Sequence, residues 1–289
     1  FYSTYIMGQK DNNGLYVRDG YIVKMEYPLK EDSIDYAAQV FERLYKRYLE
    51  NSNCKVYLSV VPDKNAYLAE ESGRLSMDYT ALTGSLREQL PQMEYIDLFP
   101  LLSYEDYYRT DTHWKQECLT DVAQKLADKM GTTLIGDYTA HRSEHPFYGV
   151  YTGQLGLPVK ADELVWLSSE NLEGCTVTSY DDYGKQIQIP MYNESLLGSE
   201  DAYEMYLGGP VPLVIVENPN ATSRKELVIF RDSFGSSLAP LLAEGYSKIT
   251  LVDIRYLLSM NVGFFVEFTD QDVLFLYSTL VLNNSETMK

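Results

Sequence analysis

The last third of the chain most constrains its fold. Three short apolar runs, Leu227 to Phe230, Lys248 to Val252 and Val273 to Tyr277, are separated by segments with helical periodicity, Ser236 to Ala243 and Met260 to Phe268. Strands this short and this apolar have both faces covered. When such strands alternate with helices, the connections are crossovers and the strands run parallel. The pattern predicts an α/β fold whose active site would lie at the carboxyl ends of the strands.

The alternation extends upstream. From Asp32 to about Leu49, Ile34, Ala37, Ala38, Phe41, Leu44, Tyr45 and Tyr48 keep helical spacing. Lys55 to Val61 reads as a buried strand closed by Pro62, Tyr79 to Leu90 as a helix, and Tyr95 to Phe99 as another buried strand. Leu119, Val122, Ala123, Leu126, Ala127 and Met130 form one apolar helix face that Gly131 stops. Gly14 to Met25 carries an Asp19-Gly20 hairpin signal. The stretch from about 141 to 209 is irregular and rich in Gly, Asn, Asp and Ser. The expected organisation is one domain over 1–289, with 1–28 a β-hairpin arm and 141–209 an insertion of loops and short strands.

Composition narrows the partners. A formal charge of −18 argues against nucleic acid, an anionic membrane surface or a polyanionic wall polymer, and favours a neutral polymer or a small molecule. The 26 Tyr against 10 Phe suit sugar-binding grooves and wet interfaces, and equally the composition of an acidic extracellular-type protein. Cys54, Cys118 and Cys175 cannot all pair and lack zinc spacing, so they read as buried free thiols, with no metal site expected. No apolar run approaches the roughly 20 residues of a membrane span. The start at Phe1 is compatible with a removed signal or an N-terminal membrane anchor outside this sequence.

Two segments carry chemistry. In Asp111-Thr112-His113-Trp114, residues two apart in an extended stretch point the same way, so Asp111 can accept from His113 Nδ1 and leave Nε2 free. A helix start at His113 would favour the neutral imidazole, against the pull of the Asp111 charge. In Arg231-Asp232-Ser233-Phe234, Ser233 stands where a strand turns into a helix, with its hydroxyl exposed and the first backbone N–H groups unpaired for an oxyanion. A serine hydroxyl needs such an oriented base to become a nucleophile. Taken singly, Asp-Thr-His is also a helix cap with a surface histidine, and Asp-Ser-Phe a helix N-cap. Ser236 and Ser237 read as helix residues or spare caps, and His141 and His145 as loop or surface residues. Trp114 reads as packing the helix start against the sheet, or as facing a sugar ring.

Those two segments, in that order, resemble the alginate O-acetyltransferase group of the SGNH hydrolase superfamily, and in particular its bacterial DHHW protein family. The similarity extends to Val61-Pro62-Asp63-Lys64-Asn65-Ala66-Tyr67, Phe147-Tyr148-Gly149, Tyr206-Leu207-Gly208-Gly209 and Ile249 to Tyr256. The resemblance implies an SGNH-like three-layer α/β/α sandwich with a central, mostly parallel sheet. It implies Ser233 as nucleophile, His113 as base and Asp111 as orienter. The reaction would be acetyl transfer to, or ester cleavage on, an extracytoplasmic carbohydrate polymer or small acyl ester, without cofactor, by a secreted or membrane-tethered protein. Arg231, Lys64, Tyr67, Trp114 and Arg255 are the candidate substrate contacts, each equally suited to a structural role. Arg231 replaces the Gly of the relatives' Gly-Asp-Ser, which predicts a crowded, more positive approach to Ser233, and the SGNH Asn donor has no counterpart. The alternative is therefore a carbohydrate-binding or exopolysaccharide-assembly protein with an idle triad. The oligomeric state stays open.

Overall fold

The computed structural model describes residues 14–155, 159–181 and 184–289. The first thirteen residues of the expected 1–28 arm thus lie outside the described residues. Within the remainder, β1 (Leu15–Arg18) and β2 (Tyr21–Lys24) pair antiparallel about Asp19 and Gly20, which take the positive φ this tight turn requires. Then come α1 (Glu31–Leu44), β3 (Lys55–Val61), α2 (Asn65–Leu68), α3 (Tyr79–Gln89), β4 (Glu94–Tyr95) and α4 (Thr120–Met130). α5 (Val150–Leu155) lies between β5 (Thr139–Phe147) and β6 (Asp162–Ser168). β7 (Thr176–Tyr180), β8 (Gln186–Ile189) and β9 (Leu213–Glu217) lead into β10 (Glu226–Arg231), α6 (Phe234–Leu242), β11 (Lys248–Val252), β12 (Asp272–Ser278) and α7 (Thr279–Leu282).

The central sheet has the strand order β4-β3-β12-β10-β11-β9-β7-β8. The first five strands are parallel, as the alternating pattern predicts. The last three add antiparallel. Side chains alternate between the two faces at the period of a strand. Val56, Leu58, Val60, Val228, Phe230, Val273 and Phe275 pack with Phe41 of α1 and with Leu82 and Leu86 of α3. Tyr57, Val61, Leu227, Ile229, Leu274 and Leu276 pack on the other face with Leu126 of α4 and Leu238 of α6. Every residue of β12 is buried, as befits a strand with neighbours on both edges and helices on both faces. The result is the three-layer α/β/α architecture of an SGNH-like fold.

Several local readings change. The strand expected at Tyr95 to Phe99 shrinks to Glu94–Tyr95, because the Asp97 side chain accepts from Phe99 N–H (3.1 Å) and Pro100 turns the chain into a 3-10 turn. Around Met260 the chain forms a 3-10 turn over Ser259–Phe264, where Asn261 and Gly263 weaken an α-helix. The stretch beginning at His141 carries short strands among its loops. β5 and β6 form a small separate sheet in which His141 Nε2 meets Ser168 Oγ (2.7 Å) and its ring stacks on Trp166. β7 and β8 instead extend the central sheet.

α4 ends on Gly131 at φ +69°, a conformation that costs glycine little. Its buried face presses on α6, so Leu126→Ala should lower stability by about 2–5 kcal/mol. The measurement is the urea unfolding midpoint, and an unchanged midpoint would contradict this packing.

Candidate active site

Ser233 stands one residue beyond β10 and occupies the N-cap position of α6. Its side chain makes no cap hydrogen bond, unlike Asp78, whose carboxylate caps α3 by accepting from Ala81 N–H. The hydroxyl lies instead 2.7 Å from His113 Nε2. His113 Nδ1 is 2.6 Å from Asp111 Oδ1, which also accepts from His113 N–H at 2.9 Å. A carboxylate only accepts, so Nδ1 carries the proton and Nε2 is left to accept from Ser233 Oγ–H.

The loop bearing Asp111 and His113 is held on every side. Tyr107 and Trp114 form an antiparallel bridge across it, and Tyr108 N–H donates to His113 O. Lys64 Nζ donates to the carbonyls of Tyr108 (2.8 Å) and Asp111 (2.7 Å). The Asp162 carboxylate accepts from Arg109 N–H, Thr110 N–H and Thr110 Oγ–H. Asp111 Oδ2 accepts from Val150 N–H at 2.9 Å. A Cβ on Gly149 would fall 2.2 Å from Asp111 Cβ, so only glycine lets that chain come so close.

Trp114 and Gln116 join this loop to α6. Trp114 Nε1 donates to Ser237 Oγ (2.9 Å) and Phe234 O (3.2 Å), and Gln116 Nε2 donates to Ser237 O (2.7 Å). Tyr203 stacks its ring on His113, with centroids 3.8 Å apart and planes 8° from parallel, while its hydroxyl bonds Ser237 Oγ at 2.7 Å. The cleft over Ser233 holds about 180 Å³ and is lined by Phe147, Val150, Tyr203, Pro210 and Ser236 besides Asp111 and His113. Glu200, Asp201 and Glu204 form its acidic side.

Burial opposes the charge on Asp111. The neighbouring His113 ring and the hydrogen bonds from His113 and Val150 outweigh it, and they hold the carboxyl at about 2, below its ordinary 3.8. Burial pushes Lys64 down to about 7 against the pull of Asp111, Asp162 and Asp63. Burial and then Asp201 raise the Glu204 carboxyl. The three cysteines are unpaired and half-buried, and burial pushes their thiols up, Cys118 to about 12 and Cys175 to about 11. Among the described residues no group of three or more His, Cys, Asp or Glu is arranged for a metal ion.

Residues 15–208 match the family model of the SGNH hydrolase-like domain, acetyltransferase AlgX. The chain belongs to this family. The match includes Asp111 and His113 and ends before Ser233. Three solved structures share the fold of this AlgX-type domain. A DHHW family protein from Eubacterium siraeum is 21% identical, with 96% of this chain and 95% of that one covered at a TM-score of 0.77. PatB1 of Bacillus cereus, in a structure with a sulfonyl adduct, is 18% identical, with 97% of each chain covered and a TM-score of 0.73. The O-acetyltransferase domain of Pseudomonas putida AlgJ is 13% identical, with 93% and 92% covered at 0.54. No curated protein matches the chain.

Of the eight site residues expected from the sequence, the fold brings three together, Ser233, His113 and Asp111. The other five stand elsewhere. Arg231 is fully buried, 3.8 Å from Asp253, and packs beneath Gly235 instead of lining the cleft, so its side chain does not crowd the approach to Ser233. Lys64 is buried on loop carbonyls, and Trp114 has no exposed surface and braces α6. Tyr67 donates to Phe99 O, and Arg255 forms a two-bond pair with Asp253.

Two mechanical expectations also change. His113 sits in a bend seven residues before α4, so Asp111 reaches it through a tight side-chain turn rather than an extended strand, and no helix dipole acts on it. The N–H groups at the start of α6 are largely used. Phe234 donates to Asp232 Oδ1, Gly235 to Asp232 O and Ser236 to Ser233 O. Sequence reasoning missed Tyr203, Asp162, Gly149 and the role of Ser237. Only Gly149, within the matched Phe-Tyr-Gly segment, carried a signal.

Because the Asp111 carboxyl titrates lower in the folded chain, its charge stabilises the fold fully above about pH 3.8, and that stabilisation is lost as pH falls toward 2. Asp111→Asn should therefore be less stable than the parent chain at pH 5, with the gap closing at lower pH. Urea midpoints taken downward from pH 5 test this, and a constant or widening gap would contradict it.

Proposed function

We propose that this chain is an extracytoplasmic O-acetyltransferase or esterase that carries an acetyl group on Ser233 and passes it to a carbohydrate hydroxyl or to water. The observation that carries the reading is the 2.7 Å approach of Ser233 Oγ to His113 Nε2, with Asp111 on the far nitrogen. Ser233 Oγ attacks the acyl carbonyl while its proton passes to His113 Nε2. The Asp111 charge stabilises the imidazolium so formed, and that proton then leaves with the alcohol of the donor ester. A sugar hydroxyl or water, deprotonated by the same nitrogen, resolves the acyl-serine. A cleft of about 180 Å³ suits a short acyl group, being smaller than the roughly 300–1,000 Å³ of sites that enclose drug-sized ligands.

Family membership supports acetyl transfer, as does the likeness to an O-acetyltransferase domain and to a protein captured with a sulfonyl adduct. The idle-triad alternative drew on Arg231 beside the nucleophile and on the missing Asn donor, and a fully buried Arg231 weakens the first of these grounds. Polysaccharide modification outside the cytoplasm fits the same membership. Glu200, Asp201 and Glu204 beside the cleft, on a chain of charge −18, favour acceptors without carboxylates.

Ser233→Ala and His113→Ala should each lower turnover of p-nitrophenyl acetate by about 10⁴-fold or more while the circular dichroism spectrum persists. Phenylmethylsulfonyl fluoride should add once, at Ser233, by peptide mass spectrometry. Full activity in the Ser233 variant would end this reading. For the acceptor, acetyl transfer to a neutral chitooligosaccharide should exceed transfer to a polyuronate of similar length. The difference should narrow at high salt and in Glu200→Gln/Asp201→Asn. Equal use of both acceptors at low salt would remove the charge argument.

A further inference from the structure

We propose that Ser236 is a further catalytic residue, whose Oγ–H donates, together with the Ser233 N–H, to the oxygen that becomes negative when Ser233 attacks the acyl carbonyl. The inference rests on the Ser233 reading above and supplies what that reading lacks, a second donor for the oxyanion. Stabilising the developing charge requires donors already aimed at it and free of other partners.

Few donors around the cleft are free. At the start of α6, the N–H groups of Phe234, Gly235 and Ser236 go to Asp232 Oδ1, Asp232 O and Ser233 O, while no acceptor among the described residues takes the Ser233 N–H. Val150 N–H is used by Asp111, Gly149 N–H by Thr110 Oγ, and the Tyr203 hydroxyl is engaged with Ser237. Ionised Glu200, Asp201 and Glu204 only accept. Ser236 is different. It lines the cleft, is 2% exposed, and its Oγ has no hydrogen-bond partner.

A buried hydroxyl without a partner is costly, and a helical serine ordinarily avoids the cost by donating to a carbonyl one turn back. Ser236 makes no such bond. Three residues after Ser233 on the same helix, it shares the face of the nucleophile. The sequence offers no Asn donor of the SGNH kind, and a hydroxyl at this position fills that role from the nucleophile's own helix.

The step balances without moving the Ser236 proton. The Ser233 Oγ–C bond forms, the carbonyl π pair moves onto oxygen, and the Ser233 proton goes to His113 Nε2. On collapse the carbonyl re-forms, the bond to the leaving alcohol breaks, and that alcohol takes the proton back from His113. Ser236 only donates a hydrogen bond, which strengthens as the oxygen becomes charged.

The test uses the whole chain with p-nitrophenyl acetate. Ser236→Ala should lower kcat by about 10²–10³-fold with KM little changed. Its thermal midpoint should hold or rise, since the lost hydroxyl had no partner. Ser236→Thr, which keeps the hydroxyl, should recover part of the rate. The pH midpoint of kcat/KM should stay in place, because Asp111 and His113 are untouched. A rate in Ser236→Ala close to the parent's would overturn the proposal, as would a lowered thermal midpoint or a displaced pH midpoint, either of which would mark a structural role. An inert parent chain whose Ser233 resists phenylmethylsulfonyl fluoride would instead overturn the reading beneath it.

Discussion

The site depends on one junction, the hydrogen bonds by which Trp114 and Gln116 hold the loop carrying His113 against the first turn of α6. Ser237 Oγ, Ser237 O and Phe234 O accept from that loop, the first and last sharing the single Trp114 Nε1–H and the other taking Gln116 Nε2–H, and all of these atoms are buried. Between dry surfaces such bonds are strong and leaving them unmade is expensive, so the loop and the helix keep one relative position. That junction sets the two backbones from which His113 Nε2 and Ser233 Oγ meet at 2.7 Å. Tyr203 adds a flat wall to the imidazole and closes the network through Ser237.

Beneath the junction lies a platform with little freedom to adjust. β10 and β12 are central and buried, and Asp232 bridges their ends by accepting from Phe234 N–H and from Ser278 N–H. The nucleophile's turn is thereby tied to two strands at once. The opposite partner, Asp111, is set by charge and close approach. Lys64 reaches up from the end of β3 to the loop carbonyls, Asp162 gathers the N–H groups on the other side, and Gly149 lets the chain pass against the carboxylate. Lys64, which resembled a substrate contact in the sequence, is thus part of the framing of the loop.

How much could be read beforehand differs between the fold and the site. The parallel strands at 55–61, 226–231, 248–252 and 272–278 and the helices around Phe41 and Leu126 were legible, because burial on both faces of a strand and on one face of a helix imposes a local period. β9 and β6 escaped notice although Leu213 to Val216 and Leu164 to Leu167 are apolar runs, and the polar β5 left no apolar alternation to find. In the site, residues that make Asp-Thr-His and Asp-Ser-Phe recognisable were visible. Tyr203 and Asp162 were not, since nothing in their own neighbourhood marks what they touch across the fold.

By itself the sequence determined the elements, their α/β alternation, the turn that puts Ser233 before α6, and a charge that disfavours anionic partners. Those properties arise from neighbours along the chain or from simple sums over it. Only the tertiary structure decided that His113 and Ser233, 120 positions apart, meet at hydrogen-bond distance, while Arg231, two positions from Ser233, faces the interior. It also decided which polar groups were left without partners, and so set the Ser236 hydroxyl apart from the serine beside it. Pairing and burial are properties of surfaces brought together in space, and no local pattern encodes them.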